Sequence, residues 1–154
     1  MFLLVQIKDF VRLAPHEFKK DNVEEILKHL DKKLSNKVIP DIGLCILIKC
    51  IDRIGDCTLF PGDGGAHCDV WATIVVFRPF EGEVIQGRVH SSSSKGIKVT
   101  LDFFEDVLIP PYLMKCGTEF DYVASEWIWK YEEDGEPVQE ANIADGDLIH
   151  FRVH

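Results

Sequence analysis

Apolar and polar residues alternate over short runs along most of this chain, and a single stretch switches to a helical period. Val23, Ile26, Leu27, Leu30 and Leu34 recur three and four positions apart, which predicts one amphipathic helix. Asp21 stands where an N-cap belongs, and Glu24 is placed to reach back to it. Lys28, Lys32 and Lys33 crowd the last turns, where cations suit the negative end of the helix dipole. A solvated face explains them; an anionic partner is the sharper reading. Before the helix, Phe2 to Phe10 reads as a first strand and Pro15 as a turn. After it, Val38–Ile39 and Gly43–Ile51 are extended. The segment Gly43-Leu44-Cys45-Ile46-Leu47-Ile48 is apolar on both faces, so an interior strand covered on each side is expected, with the helix as one cover. Ile51 to Phe60 reads as a shorter, more polar strand or turn.

Pro61-Gly62-Asp63-Gly64-Gly65 is the strongest loop signal. It lacks the Lys-Ser/Thr pair and the following helix that a phosphate cradle needs, so a hairpin tip is expected. Loops often carry function, and this one is a candidate docking element. Asp69 to Phe77 then returns as a strand. Pro79 ends its ladder for want of an N–H, and Gly82 opens a new alternating segment, Glu83 to His90. That stop and restart predicts a seam between two units, with Phe77 and Phe80 flanking it and packing the units together.

Beyond the seam, Gly87 interrupts the alternation and suggests a bulge or bend. Ser91 to Lys95 is a polar turn, and Ile97, Val99 and Leu101 face one way while Lys98 and Thr100 face the other. Val107-Leu108-Ile109 is a short strand stopped by Pro110-Pro111, and residues 115–125 read as loop. Trp127 to Tyr131 is strand-like, Glu132 to Glu136 an acidic turn, and Leu148 to Val153 a last strand. Short strands joined by bends fit a small Greek-key barrel such as an OB-fold.

Charge separates the halves. Residues 1–80 hold 11 acids and 11 bases, whereas residues 81–154 hold 15 acids against 6 bases and so carry the whole net charge of −9. That opposes a broad, sequence-blind grip on nucleic acid and leaves room for a narrow basic strip. The five cysteines, Cys45, Cys50, Cys57, Cys68 and Cys116, are odd in number and show no tight spacing. That argues against a disulfide framework and for a reducing compartment. No apolar run reaches the length of a membrane span, and the N-terminus reads as a strand, not as a signal peptide.

Catalytic chemistry finds little support. Glu105-Asp106 and Glu132-Glu133-Asp134 are loop runs that a solvated surface explains. His67 and Cys68 invite a thiol–imidazole reading, yet strand neighbours point to opposite faces. Paired Cys/His spacing for zinc is missing, so neither a metal site nor a cofactor is expected. Contact with a single-stranded nucleic acid has more behind it: Arg88, His90, Lys95 and Lys98, with Lys130 and Arg152, supply charge, and Phe103 supplies a stacking face. Phe104 and one of Trp127 and Trp129 are assigned to the core.

Several words, in order, resemble the larger subunit of the RNA polymerase stalk. They are Asn36-Lys37-Val38, Gly43-Leu44-Cys45-Ile46, Pro61-Gly62-Asp63-Gly64, Val75-Val76-Phe77-Arg78-Pro79-Phe80 and Gly82-Glu83-Val84. Gly96 to Leu101, Phe103-Phe104-Glu105-Asp106, Ile109-Pro110, Trp127-Ile128-Trp129 and Ile149 to Val153 complete the set. The Phe-Phe-acid-Asp and Trp-x-Trp words make it most similar to the RNA polymerase III version. The resemblance implies an α+β chain. Residues 1–80 form a truncated ribonucleoprotein-like tip domain, an antiparallel sheet with a helix, that docks on the polymerase core through Pro61, Gly62, Asp63, Gly64 and Gly65. Residues 81–154 form an OB-fold barrel lacking its final strand region, with Arg88, His90, Lys95, Lys98 and Phe103 facing nascent RNA. It further implies a nuclear, non-catalytic subunit paired with the smaller stalk subunit and the large core subunits. The competing readings are a free-standing single-stranded RNA-binding adaptor and a small hydrolase built on His67 and Cys68.

Overall fold

Strict alternation over Ala66–Phe77 puts Cys68, Val70, Ala72, Ile74 and Val76 on a buried face and His67, Asp69, Trp71, Thr73 and Val75 on the other. In the computed structural model, which describes residues 1–18, 22–132 and 138–154, this strand is the spine of the first of two units, Met1–Phe80 and Glu81–His154. The first unit runs β1 (Phe2–Leu13), α1 (Asn22–Leu34), β2 (Lys37–Ile39), β3 (Gly43–Leu59) and β4 (Ala66–Phe77). The strands form one antiparallel sheet in the order β1-β4-β3-β2. Ile26 and Leu30 of α1 are fully buried and share a cluster with Val11, Leu13, Cys68 and Val70, while Leu34 packs against Cys45, Ile74 and Val76. Val23 is 45% exposed and stays outside that stripe. The proposed cap Asp21 lies outside the described residues.

β3 continues as one strand where the sequence suggested a break at Ile51. The reason lies in its register. Cys45, Ile48, Ile51, Ile54 and Cys57 stand opposite Val76, Ile74, Ala72, Val70 and Cys68, so a three-residue spacing on β3 meets a two-residue spacing on β4. Four register shifts absorb the difference. Each shift restores an apolar residue to the helix-covered face, with Ile48, Ile51 and Ile54 packed on the core. Among the described residues the expected second cover is absent: Leu47, on the other face, is 46% exposed. The same register makes Cys57 and Cys68 cross-strand neighbours, and they form a disulfide across a separation of 11 residues. This corrects the reading of the cysteines, because hairpin register, invisible in spacing alone, sets the pair. Cys45, Cys50 and Cys116 are free.

The second unit contains β5 (Val84–Ser93), β6 (Gly96–Thr100), β7 (Val107–Ile109), β8 (Thr118–Asp121), β9 (Glu126–Tyr131), β10 (Gln139–Ile143) and β11 (Leu148–Arg152). They form two antiparallel sheets, β11-β5-β6-β7 and β10-β9-β8. Val89, Ile97, Val99 and Trp127 are buried together, joined by Phe120, Ile143, Ile149 and Phe151. Trp127 ties the sheets, its indole Nε1–H donating to the Ser93 carbonyl at 2.9 Å. Residues 115–125, expected to be loop, include β8, whose only strong pattern mark is Phe120 opposite Trp127. Residues 133–137, which take in all of the acidic turn after Glu132, lie outside the described residues.

Gly87 is not the bulge. It stays in regular register opposite Ile149, and the shift falls between Val89 and Ser91. Gly87 is needed for space: an added Cβ would lie 2.4 Å from Val99 Cγ1 and 3.1 Å from Leu101 Cδ2 and Phe151 Cε1. Gly87→Ala is therefore expected to destabilise the second unit by about 1–3 kcal/mol through overpacking, read as a lower midpoint in urea with an unchanged slope.

Candidate nucleic-acid interface and docking loop

Outward-pointing positions of the β11-β5-β6-β7 sheet gather Arg88, Lys98 and Arg152, with His90 and His150, on a face without acidic side chains. On β5 the exposed residues are Val84, Gln86, Arg88, His90 and, at its end, Ser93; on β11 they are Leu148, His150 and Arg152; on β6 the exposed one is Lys98. Register sets them side by side: Leu148 and Thr100 flank Arg88, His150 lies opposite Gln86, and Arg152 opposite Val84. The bulge after Val89 brings His90 and Ser91 together against Lys98. No carboxylate side chain is among these strand positions. Arg88 donates from Nη1 to the Gly146 carbonyl at 2.9 Å, which steadies its guanidinium without neutralising it. Among the described residues, neither Arg88, Lys98 nor Arg152 forms an ion pair, whereas Lys8, Arg12, Lys28, Lys33 and Lys130 all do. A cation without an internal partner is free to take an external anion.

Four of the sequence candidates, Arg88, His90, Lys98 and Arg152, are thus brought onto one face. Lys95 lies in the β5–β6 turn, and Phe103, 38% exposed, in the loop after β6. Lys130 is separate: it lies on β9 and holds Glu119 at 2.7 Å. His150 escaped sequence reasoning, although its alternation with Ile149 and Phe151 was available to find it. Of the aromatics, Trp127 is core, while Trp129 stacks on Tyr131 with ring centroids 4.6 Å apart under the Lys115 ammonium.

The loop Pro61–Gly65 joins β3 to β4 as a hairpin tip, with Pro61, Gly62, Asp63 and Gly64 exposed and Gly65 buried. It is pinned at Asp63. The Arg12 guanidinium donates to that carboxylate from Nη2 at 2.6 Å and Nε at 3.0 Å, and His67 Nε2 lies 2.6 Å from Oδ2, the oxygen that Arg12 Nε also meets. Phe60 stands edge-on to the His67 ring. Gly64 has φ of +67°, so Gly64→Val would strain the backbone as well as alter the exposed surface.

Arg12, then His67, hold the Asp63 carboxyl far below the usual carboxylate range. A depressed folded-state value means the tether is fully present above the ordinary carboxylate value, about 4, and is lost as pH falls through the folded one. Hydrogen exchange of residues 61–65, corrected for its intrinsic pH dependence, is expected to accelerate at the acid end of that window. Asp63→Asn should exchange faster already at neutral pH and lose the acid step; an acid step surviving in that variant contradicts the assignment.

His67 and Cys68 fall on opposite faces of β4, and the Cys68 sulfur is held in the disulfide, so they make no thiol–imidazole pair. Groups of three or more residues suited to a metal ion are absent among the described residues. At the seam, Phe77 is buried within the first unit beside Phe2, Phe80 is 62% exposed, and beyond Pro79 the Gly82 amide donates to the Val153 carbonyl. Among the described residues no helix is long and apolar enough to cross a membrane.

Comparison with known proteins decides the family. The chain is 39% identical to DNA-directed RNA polymerase III subunit RPC8 of Bos taurus over 153 residues, 99% of this chain and 74% of the relative. The chain belongs to the RPC8 family. The Saccharomyces cerevisiae RPC8 is 36% identical over 154 residues, covering 99% of this chain and 71% of the relative. An archaeal relative, subunit Rpo7 of Saccharolobus solfataricus, is 30% identical over 101 residues, 66% of this chain and 56% of its own. The family model for RNA polymerase III subunit Rpc25 matches residues 83–154, and that for the SHS2 domain found in the N terminus of Rpb7p, Rpc25p and MJ0397 matches residues 8–64. In RPC8 terms, the SHS2 match runs from β1 into the tip loop, and the Rpc25 match contains the whole cationic face.

Proposed function

We propose that this RPC8-family chain is the larger, non-catalytic stalk subunit of RNA polymerase III, acting in the nucleus in transcription initiation. The observation that carries this reading is similarity to RPC8 proteins along 99% of the chain. In this reading residues 1–80 are a truncated ribonucleoprotein-like tip domain and residues 81–154 an OB-fold barrel. Pro61, Gly62, Asp63, Gly64 and Gly65 dock on the large core subunits, and the smaller stalk subunit completes a heterodimer. An exposed loop tethered by Arg12 and His67 supports the docking role, since a pre-ordered loop loses less entropy on binding.

Nascent single-stranded RNA is met by the cationic face and the adjoining turn and loop, with Arg88, His90, Lys95 and Lys98 on the backbone and Phe103 for a base. The surrounding acidity keeps that contact local and salt-sensitive. Native mass spectrometry of the complex recovered on the tagged chain tests the main reading: the smaller stalk subunit and the large polymerase subunits are expected. A stable, solitary monomer would refute it. That neither Lys98 nor Arg152 forms an ion pair among the described residues also favours a second reading, a free-standing RNA-binding adaptor. That reading requires tight single-strand binding by the chain alone and no polymerase subunits in the pull-down.

A further inference from the structure

The Cys57–Cys68 disulfide sits at a mechanically distinct place. The last register shift of the β3–β4 ladder falls between Ile54 and Cys57, and beyond it only Cys57↔Cys68, Thr58↔His67 and Leu59↔Ala66 remain before the Pro61–Gly65 loop. β4 is held there from its other side by β1, paired through to Leu13↔Ala66. β3 is not so held: β2 covers only Gly43–Cys45, so the end of β3 has β4 as its single strand neighbour. The disulfide is the first link after the irregularity and the one covalent tie on the arm that leads into the loop.

Its two residues also differ in surroundings. Cys68 is fully buried among Val11, Leu13, Leu30 and Val70, whereas Cys57 lies on the exposed end of β3. We propose that Cys57–Cys68 is a reversible thiol–disulfide exchange site, opened by a low-molecular-weight thiol such as glutathione at Cys57, which clamps the loop-bearing end of the hairpin. In the first step a glutathione thiolate attacks Cys57 Sγ, forming a mixed disulfide there and releasing Cys68 as leaving group, which takes up a proton. A second glutathione attacks the mixed disulfide, giving oxidised glutathione and the Cys57 thiol. Two electrons and two protons have then passed to the protein, and the reverse sequence, driven by oxidised glutathione, closes the clamp. Once released, Cys68 stays in place as a small buried hydrophobe, so the core survives and the change is confined to the hairpin end. In the reduced form the loop keeps the Arg12–Asp63–His67 contacts, the Asp63 N–H bond to the Phe60 carbonyl and the two ladder pairs Thr58↔His67 and Leu59↔Ala66, but no covalent tie. Any consequence for assembly rests on the docking reading; the clamp itself does not.

Alkylation with iodoacetamide, followed by peptide mass spectrometry on the full chain, reports the bond state, and hydrogen exchange reports the clamp. Without reductant, Cys50 and Cys116 are expected to label and Cys57 and Cys68 to be protected. After millimolar glutathione, Cys57 labels, and exchange across residues 56–66 rises tenfold or more while residues 70–76 are unchanged. Cys57→Ala should show the reduced pattern with and without glutathione. Labelling of Cys57 before reduction, equal exchange across 56–66 in both states, or a glutathione response that persists in Cys57→Ala would each overturn the proposal. The measurements use the chain alone, so polymerase docking does not enter them.

Discussion

Reversing charge at Lys98 and Arg152 together, as Lys98→Glu with Arg152→Glu, is expected to weaken binding of a single-stranded oligonucleotide by tenfold or more. Both side chains are exposed, on separate strands of one face, and neither is neutralised by a carboxylate among the described residues. The half that carries them holds 15 acids against 6 bases, so no broad positive field compensates for their loss. Each phosphate contact removed should also flatten the log–log salt dependence, by about 0.7 per contact for a single strand. Arg88→Ala alone should lower the slope by roughly that amount. Lys130→Glu is the control: its ammonium already serves Glu119 on the other sheet, so affinity should hold. Fluorescence anisotropy across a salt series reads all three. Equal losses from the Lys130 and the Lys98/Arg152 variants would mean that net charge, not this face, governs binding.

Trp127→Ala should cost the second unit about 3–5 kcal/mol, the range for deleting a large buried aromatic. The indole is 5% exposed and packs with Val89, Ile97 and Val99 of the facing sheet. It also donates to the Ser93 carbonyl, so Trp127→Phe, which keeps most of the apolar area, should still cost about 0.5–1.5 kcal/mol for the lost hydrogen bond. Urea unfolding of the full chain, followed by near-ultraviolet dichroism, distinguishes the two. A loss confined to the alanine variant would show that volume alone matters and the hydrogen bond does not.

Wherever one local period persisted, the chain could be read directly. The α1 stripe, the alternation of β4 and β6, and the glycine-rich tip are statements about neighbouring residues, and neighbours determine them. The RNA-facing candidates Arg88, His90 and Lys98 were likewise readable as outward positions on strands. β8 was not readable, because a four-residue strand with one aromatic carries too little pattern, and its ladder is completed by Trp127 and Trp129 opposite. Gly87 looked like a bulge because a missing side chain breaks alternation whatever its cause; the crowding by Val99, Leu101 and Phe151 shows that the cause is packing.

Residue order alone thus established the strand-rich class, the position of the helix and the charge asymmetry between the halves, all properties that survive without a partner segment. Register needed the folded molecule. Only pairing with β4 turns the three-residue recurrence of Cys45, Ile48, Ile51, Ile54 and Cys57 into a continuous strand and makes neighbours of Cys57 and Cys68. Only pairing of β11 with β5 carries Arg152 and His150 to the face of Arg88. Cross-strand neighbours are chosen by the burial of whole faces, a sum over many distant residues that no short window contains.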